Sequence, residues 1–486
     1  MAKKGNLFFL VHSLTAAEKR HFKLYAASLK SDSNYLQLFD VVDKQEEYDE
    51  QQIRKLFKGK SFLRQLHVTK IYLTELILKS LRNFHTGTSV SAELADLLRD
   101  IEILFSKELY DLCYHKIEKA EKLATTYEKH ALLAEILSWK RKLQLAKSNI
   151  VKESIATLLD KEQQAAKTLE TLNTYWHYTF NIFSYAGSKE DLLKSALFKN
   201  PPPYQSLQNQ VLRYHILYTW HTLKGKPAMA EKTLQELIAL LEKHPDRIRD
   251  DPSPYVTALG NYIGMLLNLK RWDDIPTLLQ KIKKVPEIYK PGNSSRFTVR
   301  LWIRVYNVEL EMYRDSRQLK KGIALVNEIN NFLEKHPKAI PADYLLLFYY
   351  QFACIYFLAK NTTQALHWLN AIINTNFKDN RTDIQGYARL LNLVIHFELN
   401  NIILLRYAVH SCRRFLKKLK MLQPFESEML SLFSKLSTTH KRQHQQLFAE
   451  TYNQLFAAGN SHQHSGALDY IDMKSWLEEK MTKTRK

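Results

Sequence analysis

Apolar residues in the second half of the chain return at steps of three and four, the spacing that places them on one face of a helix. The register is clearest around residue 353. Tyr349, Phe352, Ala353 and Tyr356 mark one helix, residues 360–364 a short polar turn, and Ala365, Leu369 and Ile372 a second helix. The same two stripes and a turn come three times before it. Tyr214, Leu217 and Tyr218 precede Ala230, Leu234 and Leu237, and Leu259, Tyr262, Ile263 and Leu266 precede Trp272, Ile275, Leu279 and Ile282. Tyr306, Leu310 and Tyr313 then precede Leu319, Gly322, Val326 and Ile329. With Tyr218, Ile263, Leu310 and Ala353 as equivalent positions, the repeats are 45, 47 and 43 residues apart. Two of the second helices end alike, Leu241–Pro245 and Leu333–Pro337 both reading Leu-Glu-Lys-His-Pro. Proline just past a helix stops it, and a basic pair suits the negative end of the helix dipole. Hairpins repeated in this way predict an all-α fold, an α-solenoid of antiparallel helical hairpins.

The rest of the chain divides around that array. Residues 1–90 read as an N-terminal helical head. Thr15 and Glu18 have capping-box spacing, so a helix is expected from there to about Leu29, with Phe22, Leu24 and Tyr25 on its apolar side. A second helix follows over Tyr35 to about Val42, and a short third begins near Asp49. Gly59 breaks the chain before a long helix carrying Phe62, Leu66, Leu73, Leu76, Ile77, Leu81 and Phe84. Residues 91–200 open with a hairpin, Leu97, Ile101 and Leu104 against Cys113, Ile117 and Ala120, and continue as long helices to Tyr185. Gly187 and the run Pro201, Pro202 and Pro203 mark the next boundary. Residues 201–486 form the regular array, and the segment Leu468–Lys480 closes it as an amphipathic cap through Ile471, Trp476 and Leu477.

Composition adds three constraints. With 45% hydrophobic residues, 12 glycines and 13 prolines, the chain has enough apolar surface for a large core and too little Gly and Pro for disorder. The apolar run Leu7–Val11 is too short for a signal-peptide core and no stretch reaches bilayer length, so a cytosolic protein with no membrane partner is expected. Cys113, Cys354 and Cys412 are scattered through helical apolar patterns, which predicts buried thiols rather than a disulfide framework or zinc site. Lys and Arg total 71 against 50 Asp and Glu, a net charge of +21. Basic surface of that size attracts acidic partners.

The Ala353 hairpin resembles a tetratricopeptide repeat, with Tyr349, Phe352, Ala353, Tyr356, Ala365, Leu369 and Ile372 on that family's apolar positions. Its steps are longer than the family's ~34 residues, and Phe377 stands where the closing proline usually falls. As a whole the chain is similar to uncharacterised tetratricopeptide-like bacterial proteins, which implies a bacterial cytosolic setting and supplies no activity. In such solenoids the first helix of each pair lines the concave face.

That resemblance gives meaning to a polar stripe on the helix after Ser295. Arg296, Arg300, Arg304, Asn307, Glu311 and Arg314 follow one another at steps of three and four, beside the apolar stripe of Ile303, Tyr306, Leu310 and Tyr313. The stripe would face the groove, with Thr219, Thr222 and Asn268 added by neighbouring hairpins, and its arginines suit an acidic peptide or chain terminus. A solvated helix face is the plain alternative. A second stripe, Arg406, His410, Arg413, Lys417 and Lys420, with Arg414 and Lys418 beside it, could track phosphates or an acidic protein surface. His440 with His444, and His462 with His464, lack the further ligands a metal needs. No phosphate loop, nucleophile elbow or paired-carboxylate signature is present, so neither a cofactor nor catalysis is expected. The expected function is a non-enzymatic scaffold holding an acidic protein or peptide partner in a superhelical groove. A nucleic-acid-associated or regulatory protein is the alternative. Partner identity and oligomeric state are not encoded in these patterns.

Overall fold

The computed structural model describes residues 5–28, 33–87, 89–147, 149–187, 192–201, 206–290, 295–336, 340–375, 381–456 and 473–482. Among them the regular structure is helical throughout and no strand occurs, as the period-3.6 stripes predict. The chain forms two compact units, Met1–Ala230 and Glu231–Lys486.

In the first unit the helices are α1 (Asn6–Ser13), α2 (Ala16–Ser28), α3 (Ser33–Lys44), α4 (Glu50–Leu56), α5 (Leu66–Phe84), α6 (Val90–Ser106), α7 (Tyr110–Thr126), α8 (His130–Ala146), α9 (Ile155–Gly187), α10 (Ala196–Lys199) and α11 (Leu207–Leu223). The first five share a core of Leu7, Val11, Phe22, Phe39, Ile53, Leu73 and Ile77, among others. The capping box forms as expected: Thr15 N–H donates to Glu18 Oε2 at 2.6 Å and Glu18 N–H to Thr15 Oγ1 at 3.2 Å. Asp49 caps α4 through the N–H groups of Gln51 and Gln52. Three details differ from the pattern reading. Leu24, expected on the apolar side of α2, is exposed, leaving Phe22 and Ala26 as its buried residues. Leu7–Val11 belongs to a helix of its own, because Leu7, Phe8 and Val11 fall on one face and bury it. Phe62 lies in a 3-10 turn, Ser61–Gln65, and the long helix begins only at Leu66. Beyond the head, α6, α7, α8 and α9 pack in sequence order, and α11 packs on α9.

The division at Ala230 falls inside α12 (Pro227–Glu242). The second unit continues with α13 (Pro245–Asp250), α14 (Ser253–Asn268), α15 (Ile275–Ile288), α16 (Ser295–Asp315), α17 (Leu319–Lys335), α18 (Ala342–Leu358) and α19 (Thr362–Asn374). It ends with α20 (Thr382–Glu398), α21 (Ile402–Lys418), α22 (Pro424–Leu436), α23 (His444–Phe456) and α24 (Met473–Thr482). From α13 to α24 each helix packs on its neighbour in sequence. In addition α16 packs on α18, α18 on α20 and α20 on α22. Ala353 and Ala365, at the expected crossing of α18 and α19, are both fully buried. The closing helix is present over α24, where Trp476 and Leu477 are buried and Trp476 Nε1 donates to Glu398 Oε1 at 2.7 Å. Ile471 lies outside the described residues, as do His462, His464, Pro202, Pro203, Pro337 and Phe377.

One turn closes hairpin after hairpin in both units. A residue two positions past the helix adopts a left-handed conformation (Glu108, Glu128, Lys270, Lys360, Asn400, Lys420), and the next N–H reaches back five residues to a helix carbonyl. Leu109, Arg271, Asn361 and Asn401 thus donate to Leu104, Leu266, Tyr356 and His396 at 2.9–3.0 Å. This is the Schellman arrangement, which satisfies the orphan carbonyls of one helix while the chain reverses into the next.

Candidate functional site

The helix α16 brings together part of the polar stripe. Arg300 and Arg304 are exposed, and neither makes a hydrogen bond or ion pair among the described residues. Arg304 reaches from α16 to the backbone of α14, where its guanidinium lies over Gly260. A Cβ on Gly260 would sit 2.1 Å from Nη2 and 2.7 Å from Cζ, so the guanidinium occupies space that any larger residue would fill. One turn along, a Cβ on Gly264 would meet nothing within 4 Å. Protein around Arg304 strips water from its charge and lowers its pKa below the ordinary arginine value, an effect partly offset by Tyr344. The side chain is therefore open to solvent and yet poorly solvated, a cation in a recess with no carboxylate on it among the described residues.

Asn307 and Arg314 of the stripe make contacts within the protein. Asn307 Nδ2 donates to the Ile303 carbonyl at 2.8 Å, and its Oδ1 accepts from Nε2 of the buried Gln351 at 2.7 Å, joining α16 to α18. Arg314 is buried. Burial alone would lower its pKa, but the Asp315 carboxylate, 2.6 Å from Nε, outweighs that and raises it. Glu311 adds to the negative potential around Arg314. The side chain of Arg296 lies outside the described residues. Asn268 is exposed at the end of α14. Thr219 and Thr222 belong to the first unit, and their hydroxyls donate back to the His215 and Tyr218 carbonyls of their own helix.

On α21, Leu405, Val409, Cys412 and Leu416 are buried while His410, Arg413, Arg414, Lys417, Lys418 and Lys420 are exposed. Arg406 stands apart from that row. Its Nε and Nη2 donate to the Ser437 carbonyl at 3.0 and 2.7 Å, satisfying the C-terminal end of α22. Sequence spacing gave no sign of this, because the carbonyl belongs to another helix.

Elsewhere, several polar groups are paired, while buried atoms such as His221 Nδ1, Trp368 Nε1 and Asn392 Oδ1 have no hydrogen-bond partner among the described residues. In the head, a recess of about 420 Å³ contains Lys70, 2.5 Å from Tyr48 Oη and 2.8 Å from Glu50 Oε2. The Lys70 bond is the main reason the Glu50 carboxyl is pulled down to about 2, and it ties α4 to α5. All three cysteines are buried and free, as expected, and burial pushes the Cys354 and Cys412 thiols up to about 12. His440 accepts from the Arg442 N–H, and His444 Nε2 lies 3.2 Å from the Thr439 carbonyl, so both rings serve the turn before α23. No helix among the described residues is long and apolar enough to cross a membrane. No protein-family model matches the chain, and comparison with curated proteins and with solved structures finds no match either.

Proposed function

We propose that the chain is an α-solenoid of tetratricopeptide-like hairpins, a cytosolic, non-enzymatic scaffold that takes an acidic segment of a protein or peptide on the inner face of its first helices. The architecture is supported by the packing of α16 on α18, α18 on α20 and α20 on α22, alongside the hairpin pairs. Side-by-side first helices make one layer of a repeat array, and such layers offer extended binding surfaces. The repeated Schellman turn supports the same reading, because like units need like connections.

The observation that carries the binding site is Arg304, desolvated over Gly260 with no carboxylate beside it among the described residues. A poorly hydrated guanidinium loses water that an anion can replace with two parallel hydrogen bonds, and little further desolvation is needed. Arg300, one turn away on α16, adds a second cation, and the open space at Gly264 gives the ligand chain room to pass.

Two variants test this without disturbing the core. Arg300→Glu with Arg304→Glu reverses the charge, and synthetic peptides rich in Asp and Glu should bind at least roughly thirtyfold more weakly, about 2 kcal/mol. Gly260→Ala keeps every charge and displaces the Arg304 guanidinium. Alanine in place of a helical glycine stabilises a helix by ~0.5–1 kcal/mol, so the fold should become more stable while binding falls. Titration calorimetry with circular dichroism decides it: unchanged affinity in both variants means the stripe is a solvated face.

A further inference from the structure

We infer that the outer face of α21 is a second docking surface, for a helical protein segment with one apolar end and one acidic end. The residues concerned run in single file. Ile403, Tyr407, His410, Arg414 and Lys417 follow at steps of four, three, four and three, along about 21 Å of helix. The first two are 73% exposed. Arg413 and Lys418 flank the cationic end, and none of Arg413, Arg414, Lys417 and Lys418 makes a hydrogen bond or ion pair among the described residues.

Cations in the last turn of a helix are favoured by its dipole, which accounts for Lys417 and Lys418. It does not account for Arg413 and Arg414 a turn earlier, which face Lys417 and Lys418 at i, i+4 and repel them. Nor does it account for bare Ile403 and Tyr407. The surface therefore combines uncompensated positive charge with uncovered apolar area, and a partner that relieves both must carry both complements.

How the two halves are arranged selects the partner class. A helix lying in a membrane divides apolar from cationic around its circumference, so that one side enters the lipid. Here the division runs along the axis, and any surface that met Ile403 would meet the cations at the same depth. A nucleic acid would use the cations and could stack on Tyr407, but its phosphates and bases leave Ile403 uncovered. An amphipathic helix about four turns long, apolar at one end and rich in Asp or Glu at the other, covers the file throughout.

The test uses a fluorescent synthetic helix of that length with leucines in one half and glutamates in the other, read by anisotropy. A peptide of the same composition in scrambled order, a single-stranded oligonucleotide and phosphatidylserine-containing vesicles are measured beside it. The ordered peptide should bind most tightly. Arg413→Glu with Arg414→Glu, and separately Tyr407→Ser, should each weaken it roughly tenfold or more. Reversing Arg300 and Arg304 should leave it unchanged, so this surface can fail or succeed independently of the α14–α16 recess. Equal binding of ordered and scrambled peptides, or tighter binding of oligonucleotide or vesicles, overturns the inference.

Discussion

Replacing Lys140 should destabilise the first unit more than any surface charge change, and its surroundings set the size of the effect. The α8 side chain is 2% exposed, and its ammonium lies 2.6 Å from Glu118, 2.6 Å from Glu121 and 3.2 Å from Glu153. Lys161 on α9 bridges Glu121 and Glu153 at 3.0 and 2.9 Å. The cluster therefore ties α7, α8 and α9 together with two ammoniums for three carboxylates. Burial alone would lower the Lys140 pKa, but the three carboxylates outweigh it and hold the pKa above its ordinary 10.5. In Lys140→Met, Glu121 and Glu153 must share Lys161, while Glu118, 45% exposed, stays hydrated. Breaking a buried pair costs ~3–5 kcal/mol, and the partial exposure of the acids places this variant at about 2–3 kcal/mol. Adding Glu121→Gln restores the charge balance and should recover about 1 kcal/mol.

Urea denaturation followed by circular dichroism measures these values, and hydrogen exchange in α7–α9 shows where protection is lost. The pH dependence follows from the direction of each shift. The Glu153 carboxyl feels burial, which raises its pKa, but Lys161 and Lys140 hold it below 4.5. Its stabilisation is therefore present above that value and lost as pH falls through the folded pKa. Lys140, raised, contributes fully below 10.5 and is lost only as pH climbs through the higher folded value. Stability from the cluster should thus be flat between the two, and the defect of Lys140→Met should shrink in acid. A single variant within ~0.5 kcal/mol of wild type, or a double variant less stable than the single one, would refute this account.

Two further outcomes follow, one from a buried crossing and one from a partly exposed ion pair. Ala353→Leu forces extra volume into the α18–α19 crossing, where Ala353 and Ala365 are both fully buried, and should destabilise by ~1–3 kcal/mol; an unchanged denaturation midpoint means the crossing lies elsewhere. In Lys70→Ala the Glu50 carboxyl loses the bond that holds it near 2 and should titrate closer to 4.5, read by carbon NMR; a titration still near 2 would assign the shift to Arg54 and Tyr48 instead.

Much of the helix placement was legible because burial and period agree. Tyr349, Phe352, Ala353 and Tyr356 lie on α18 as their spacing indicates. What spacing missed is that Phe348, Tyr350, Cys354, Ile355 and Phe357 are equally buried, since α18 is packed by α16, α17, α19 and α20 together. A helix covered all round has no second face to read. The hairpin turns were hidden for another reason. Glycine signals a left-handed cap, but apart from Gly225 it is Lys, Glu and Asn that hold that conformation in these turns, at ~1–2 kcal/mol each, so no single residue marks the repeated turn. At the candidate site, the Arg300–Arg304 stripe was legible from one helix. The meeting of Arg304 with Gly260, the Asn307–Gln351 bond and the capping of α22 by Arg406 each join residues of different helices, and no local pattern encodes them.

On the proposed scaffold reading, burial also decides where the first helices could accept a ligand. No residue of 346–357 on α18 or 384–395 on α20 is exposed, so the middle of each of those helices is already covered by its neighbours. On α14 and α16, by contrast, Gly260 and Gly264 leave the backbone accessible, and Arg300 and Arg304 stand free. Arginine flexibility matters here, because Arg304 crosses to α14 at the place where only glycine admits it. On that reading, a ligand would meet exposed cations at the α14–α16 end. A substitution that fills Gly264, where there is room for a Cβ, should narrow the passage while leaving Arg304 in place, separating the contribution of space from that of charge.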